Sequence, residues 1–405
     1  MLPDNRSFLV AAGLEQALHY LTHVSFNDGQ IDWLRRQPAL AGLDAGFFDY
    51  LAGFRFEGDV WAVPEGTVVF AGEPLVRIEA DLIEAQMVET YLLTCLNLQT
   101  LVASKSARIN LAAAGRSVVD FGARRAHGPQ AGLLAARAAL IGGCSATSNV
   151  LAGQLLGASV VGTQAHSWIM AFDDEGEAFE QYARIFGDRT VCLVDTYNTI
   201  EGTRKAARLG KQLAGVRLDS GDMVKLSKQV RRELDRAGCQ HTEIIASGDL
   251  NEYVIADLLA AGAPIDTFGV GTDLVTSRDA PALSVVYKVV AVERDNRLVP
   301  VIKRSTDKQT LGWAKQVFRS YDADGAMSGD VIGLADEDLP GEPLLCPVMR
   351  QGKLSADPPP VAEIADRCRQ QLERLPRRLR QLAGGVHYPV GISAALQRAQ
   401  PNPDG

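Results

Sequence analysis

The residues best suited to chemistry lie just beyond short apolar runs. In ASVVGTQAHSW (158–168) the β-branched pair Val160 and Val161 gives way to Gly162 and Thr163, and His166 follows. A strand, a glycine turn and then a titratable side chain is how a parallel α/β domain delivers chemistry to the carboxyl end of its sheet. The plain alternative is a hydrogen-bonded structural histidine. Three later runs each end in a small residue, a glycine and an acid: Asp219, Ser220, Gly221, Asp222; then Ser247, Gly248, Asp249; then Gly271, Thr272, Asp273. Glycine there lets backbone N–H groups approach an anion, and a following helix N-terminus adds a favourable field. Ser, Thr and Asp also cap helices, but three such loops in succession point to a phosphorylated ligand. Asp219, Asp222, Asp249 and Asp273 would then crowd beside phosphate unless hydroxyls or a metal intervene. Ribose hydroxyls and hydrated Mg²⁺ both fit, and no His/Cys cluster suggests a transition metal.

Two further positions could face the same ligand. In DFGARRAHG (120–128), Phe121 is followed by a flexible glycine and two arginines, a pattern that can stack a planar ligand and pair with its carboxylate or phosphate. Plain core filling explains Phe121 in isolation equally well. Arg217, inside the apolar run GVRLD, requires an anionic partner.

The elements that must position these residues follow a clear rhythm. SVVDF (117–121), ASVVG (158–162), TVCLVD (190–195), GVRLD (215–219), EIIAS (243–247) and TFGVG (267–271) read as strands, most of them separated by helix-length segments. In one such segment Leu226, Val230 and Leu234 repeat every four residues. Strands alternating with helices imply a parallel sheet. Their number favours a closed or nearly closed barrel, with a doubly wound sheet left open. Upstream, Leu14, Leu18 and Leu21 mark a helical face, residues 58–78 read as a small antiparallel β module, and the Gly- and Pro-free stretch 83–114 reads as one bracing helix. Downstream, residues 289–305 and 317–334 look antiparallel, and a helix is expected from about Val361 to Leu382. We therefore divide the chain into an N-terminal helical and β-rich part with its bracing helix (1–114), an α/β barrel (115–288), and a C-terminal β segment with a terminal helix (289–405).

Composition narrows the function class. The 405 residues carry a net charge of −8, and the one basic run, RLPRRLRQL (374–382), reads as the solvated face of a helix, so nucleic acid is not the expected partner. No apolar run spans a bilayer and MLPDNRSF has no leader character, so no membrane is expected and the expected compartment is the cytoplasm. Six scattered cysteines without a CxxC pair suggest reduced core thiols.

DFGARRAHGPQAG, GGCSATSNVLAG, VVGTQAHSW, LVDTYNT, GVRLDSGDM, ASGDLNE and FGVGTDLVTS occur in this order, and with PEGTVVFAGEPLVRIEA and HYPVGIS they closely resemble the nicotinate phosphoribosyltransferase family of NAD salvage. The resemblance implies an irregular α/β barrel of the type II phosphoribosyltransferase kind, with a β-rich domain formed by N- and C-terminal segments, in a homodimer with shared active sites. It implies that nicotinate and 5-phosphoribosyl-1-pyrophosphate yield nicotinate mononucleotide and pyrophosphate, coupled to ATP hydrolysis through a phosphohistidine at His166, with ATP and Mg²⁺ required. Asp195, matching a family acid, is the expected partner of His166. Phe121, Arg124, Ser148, Thr163 and Arg217 would surround nicotinate. Ser220, Gly221, Asp222, Ser247, Gly248, Asp249, Gly271 and Thr272 would hold the phosphoribosyl group, and Asp219 and Asp249 the metal.

At the position of Ser148 the related nicotinamide enzyme carries an aspartate, so a neutral hydroxyl there favours nicotinate. Two departures stand out. The family's opening D-x-Y-x-x-T-M, whose tyrosine reaches the neighbouring subunit's pyridine site, has no counterpart here: either the start is truncated or the ring is held from one side only. Gly312, Trp313 and Ala314 replace the family's usual residues in TLPGRKQV. The alternatives are a nicotinamide or quinolinate phosphoribosyltransferase, or a non-catalytic homologue that still binds such ligands.

Overall fold

The computed structural model describes residues 2–302, 310–382 and 385–401. At its centre is a curled parallel sheet of β1 (Ser117–Asp120), β2 (Ala146–Thr147), β3 (Thr190–Leu193), β4 (Leu213–Leu218), β5 (Glu243–Ala246) and β6 (Thr267–Val270), in the order β2-β1-β6-β5-β4-β3. Val118, Val119, Ile244, Ile245, Phe268 and Val270 are all buried. A sheet covered on both faces reads as continuous apolar runs rather than as alternation. Helices such as Pro129–Ile141 after β1 and Met223–Arg236 after β4 supply the crossovers, the latter burying Val230 and Leu234 as its four-residue repeat predicts.

The expected strand 158–162 is reduced to one parallel bridge between Val160 and Thr147. Flanked by left-handed Gly157 and by Gly162, and with Val160 half-exposed, that run is too short to propagate a ladder. The dipeptide β2 occupies the edge instead, and the sheet is an irregular half-barrel rather than a closed one.

The bracing helix is divided at Val88 into helices Leu82–Met87 and Glu89–Ala112, although the Val88 N–H still donates to the Glu84 carbonyl and its carbonyl accepts from the Leu92 N–H. From Gln99 to Ile109 every side chain of the longer helix is buried. Its polar groups are paired: the Ser104 hydroxyl accepts from the Val10 N–H at 2.8 Å, and Lys105 and Arg108 both bind Glu252. A helix buried on all sides must satisfy its polar atoms internally.

Both chain ends build the β-rich part. Residues 346–350 pair with 59–62, which pair with 76–79, while 315–321 and 327–334 form an antiparallel pair flanked by 342–343 and 390–392. Strands Ala291–Arg294 and Arg297–Pro300 are antiparallel as expected; residues 303–305 of that stretch lie outside the described residues. The terminal helix is shorter than expected, Val361–Arg374, because Pro376 cannot continue it. The basic run beyond it buries Leu375 and Leu379, so it is not simply a solvated helix face. The unusual Gly312 and Trp313 dock the last helix, Ala394–Ala399: the Gly312 N–H donates to Gln400 Oε1 and the indole N–H to the Ala399 carbonyl, each at 2.8 Å. Five cysteines are buried, Cys346 is exposed, and all are free. Among the described residues no helix is long and apolar enough to cross a membrane.

Candidate active site

A cavity of about 380 Å³ opens at the carboxyl ends of β1, β3 and β4, and Phe121, Arg124, Ser148, Thr163, His166, Arg217 and Asp219 all line it. These residues come from segments nearly a hundred positions apart. A parallel sheet gathers them because every strand ends on the same side.

Arg217 is the hub. Its Nε donates to Ser247 Oγ at 2.8 Å, Nη1 to Thr163 Oγ1 at 2.8 Å and Nη2 to Asp219 Oδ1 at 2.6 Å. Its guanidinium carbon also lies 5.5 Å from the centre of the Phe121 ring. The anionic partner that an arginine in an interior strand requires is thus Asp219, two residues on. Burial works against the charge of Asp219, but the Ser247 hydroxyl, at 2.5 Å, and the Arg217 guanidinium outweigh it and hold the carboxyl below its ordinary range. The pocket therefore presents a planar ring, two arginines and an ionised carboxylate.

His166 begins the short helix His166–Met170. Its Nδ1 lies 3.1 Å from Thr196 Oγ1 and its Nε2 3.7 Å from Asp219 Oδ2. This corrects the expected pairing with Asp195. Asp195 Oδ2 instead accepts from the Asp219 N–H and from the Ser220 hydroxyl, each at 2.9 Å, and Oδ1 is buried without a partner. Asp195 thereby braces the turn after β4, and Thr196, the next residue, is the one that reaches the imidazole.

The three glycine loops differ in what they leave free. Gly221 and Gly248 have φ of +88° and +92°, conformations that suit glycine. Asp222 caps the helix Met223–Arg236 through the Lys225 N–H, the plain reading of such an acid. The Ser247 hydroxyl is committed to Arg217 and Asp219, and the Ser220 hydroxyl to Asp195. Asp249 is exposed, Gly271 and Thr272 are half-buried, and Asp273 is buried beside Lys105, 3.8 Å away. The expected crowding of four carboxylates thus does not occur, since Asp222 and Asp273 are engaged elsewhere.

A divalent cation is compatible with the donors present. Asp219 keeps Oδ2 clear of Arg217 and Ser247, and exposed Asp249 is unconstrained, a sparse oxygen set typical of Mg²⁺ held mainly by substrate phosphates. Among the described residues no group of three or more His, Cys, Asp or Glu side chains could hold a metal on its own.

Sequence reasoning passed over Asp120, fully buried at the end of β1. Its carboxylate accepts from the Gly122 N–H at 2.7 Å and from the Thr147 hydroxyl at 2.8 Å, and its main-chain oxygen accepts from the Ser148 N–H at 2.8 Å. One residue therefore sets both Phe121 and Ser148. The signal was an acid immediately before the aromatic at a strand end. Burial pushes its carboxyl up, only partly offset by the Gly122 N–H and the Thr147 hydroxyl. A carboxyl raised in the folded state disfavours folding most when ionised, so this penalty is relieved as pH falls through the folded pKa towards the unfolded value near 3.8. Urea denaturation should find the stability of Asp120→Asn relative to wild type highest at pH 7.5 and falling on acidification, since only the carboxyl is relieved by protonation. Asp120→Ala, which strands both donors, should lose about 1–3 kcal/mol.

Known proteins share this architecture. Family models match residues 2–97 (nicotinate phosphoribosyltransferase N-terminal domain), 116–326 (nicotinate phosphoribosyltransferase family) and 340–400 (the corresponding C-terminal domain). A nicotinate phosphoribosyltransferase of Mycobacterium tuberculosis is 46% identical over 400 residues, covering 97% of this chain and 84% of its own. The Bacillus subtilis nicotinate phosphoribosyltransferase is 43% identical over 348 residues, covering 84% of this chain and 70% of its own. The crystal structure of human nicotinic acid phosphoribosyltransferase superposes with a TM-score of 0.84 at 28% identity, covering 98% of this chain and 92% of that one. A nicotinate-nucleotide pyrophosphorylase from Pyrococcus furiosus superposes with a TM-score of 0.74 at 27% identity, covering 92% and 87%.

Proposed function

Because this chain belongs to the nicotinate phosphoribosyltransferase family, we propose that its pocket joins nicotinate to 5-phosphoribosyl-1-pyrophosphate, releasing pyrophosphate, with ATP hydrolysis through His166. The observation that carries the reading is Arg217, a cation fixed in an interior strand by hydrogen bonds to the Ser247, Thr163 and Asp219 side chains and set beside the Phe121 ring. A flat ring bearing a carboxylate fits that pair: the ring stacks on Phe121 and the carboxylate meets Arg217 and the Thr163 hydroxyl. Ser148, a neutral lining residue, does not repel it.

In the forward reaction the pyridine nitrogen attacks the anomeric carbon as the bond to pyrophosphate breaks, through an oxocarbenium-like state. Ionised Asp219 stabilises positive charge on the sugar without carrying a proton into the site. Bound Mg²⁺ would supply charge neutralisation on the departing pyrophosphate, with Asp219 and Asp249 as its protein oxygens. The glycine turns at Gly221, Gly248 and Gly271 offer backbone N–H groups to phosphate.

For the ATP-coupled step, the Nδ1–H tautomer donating to Thr196 leaves the Nε2 electron pair free to attack the γ-phosphorus. The phosphorus–oxygen bond to ADP breaks, and the new nitrogen–phosphorus bond is later hydrolysed by water. Exposed apolar residues beside the pocket, Val150, Leu151, Met170 and Tyr197, suit cover by a second copy of the chain, which supports a homodimer with shared sites.

Incubation with γ-labelled ATP and Mg²⁺ should place an acid-labile phosphate on the protein and none on His166→Ala. Equal labelling of the two proteins would remove His166 from this role. Turnover of nicotinate, nicotinamide and quinolinate should fall in the order that one interior arginine and a neutral Ser148 dictate, nicotinate first. No turnover of any of them would favour a ligand-binding homologue.

A further inference from the structure

We propose that Gln164 is a positioning residue for His166: its side-chain amide closes the seam of the half-barrel and thereby sets the imidazole against Thr196. The role of His166 in this statement rests on the function proposed above, whereas the closure itself does not.

The sheet has two edges near the pocket. One is β2, extended by the lone bridge from Thr147 to Val160, and the other is β3. Among the described residues no strand ladder joins 160–165 to β3. The link is a side chain: Gln164 Oε1 accepts from the Leu193 N–H at 3.0 Å, replacing one main-chain hydrogen bond of the missing ladder. Two residues after Gln164 comes His166, and three after Leu193 comes Thr196, and these two meet at 3.1 Å. The clip therefore sits one short step behind the contact that orients the imidazole. The Gln164 main-chain oxygen also accepts from the Thr163 hydroxyl at 3.3 Å, so the same residue ties the Arg217 side of the pocket to the His166 side.

The chemistry of the position is specific. Gln164 is 2% exposed, and because Leu193 supplies an N–H the facing atom must be the oxygen. Nε2 is then left as a buried donor without a partner, a cost of the kind tolerated at functional sites. An apolar residue of equal length would remove that cost but strand the Leu193 N–H and release the seam. Glutamate would keep an acceptor for Leu193.

The test uses the full-length protein with Gln164→Met and Gln164→Glu. Three quantities are read: hydrogen exchange at the Leu193 amide, the ring-nitrogen NMR shifts of His166, and steady-state nicotinate turnover. With Gln164→Met, Leu193 protection should be lost, the His166 shifts should move, and kcat should fall about tenfold or more with KM little changed, as expected when a reacting group is misplaced. Gln164→Glu should restore protection, shifts and most of kcat. Unmoved His166 shifts in folded Gln164→Met would overturn the proposal. So would Gln164→Glu that protects Leu193 yet stays as impaired as Gln164→Met, and this comparison holds even if the methionine variant folds poorly. If wild type shows no turnover, the proposed function fails, while exchange and ring shifts still decide the clip.

Discussion

Replacing Arg217 with methionine lowers kcat/KM for nicotinate by about a hundredfold or more, and lysine does not restore it. A hydrogen bond to a charged group contributes about 1.5–3 kcal/mol, so losing a two-pronged contact to a carboxylate reaches that factor. Lysine keeps the charge but not the fork that reaches Ser247, Thr163 and Asp219 together. Nicotinamide has no carboxylate, so its turnover should fall much less, and the ratio of the two substrates is the decisive measurement. A second signature follows from Asp219. Arg217 is one of the groups holding that carboxyl low, so its removal should move the acid limb of the pH–rate profile to higher pH. An unchanged substrate ratio would place nicotinate's carboxylate elsewhere.

Gly248→Ala is expected to damage both stability and the phosphoribosyl site. A Cβ at this position would lie 2.1 Å from the Asp219 main-chain oxygen and 3.1 Å from its carbonyl carbon, so backbone rather than a flexible side chain must give way. The left-handed conformation adds roughly 1–2 kcal/mol for a residue with a Cβ. Gly157→Ala is the control: its φ is +64° and its added methyl meets nothing within 4 Å, so it pays only the conformational part. Urea denaturation should find Gly248→Ala less stable than Gly157→Ala, and KM for 5-phosphoribosyl-1-pyrophosphate should rise in the former alone. Equal losses in the two variants would mean that the loop shifts without disturbing Asp219.

Much of the fold is legible locally. The apolar runs at β1, β4, β5 and β6 are long enough to be strands in any context, and the helical repeats between them demand crossovers, so a parallel sheet follows. Arg217 was legible for a similar reason, since an arginine in such a run must be paired. Less legible was the run 158–162, whose apolar residues are too few between two turn-forming glycines to hold a ladder. Its fate depended on β2, which presents only two residues and gives little local signal.

Spacing and residue type alone determined that His166, Phe121, Arg217 and the glycine loops belong to one end of a parallel sheet, because strand direction alone puts successive strand ends on one side. Which atoms meet was decided in three dimensions. Asp195 and Thr196 are adjacent in sequence, yet one braces the turn at Asp219 and the other touches the imidazole, because the chain leaves its strand at Leu193 and bends at Thr196. Ser247 and Asp222 carry the residue types of a phosphate loop, but a hydroxyl or carboxylate bonds to whichever partner lies nearest once the chain is packed. Gln164 was silent in sequence for the same reason: an amide two residues from a histidine acquires meaning only when the curl of the sheet brings the Leu193 N–H within 3.0 Å of it.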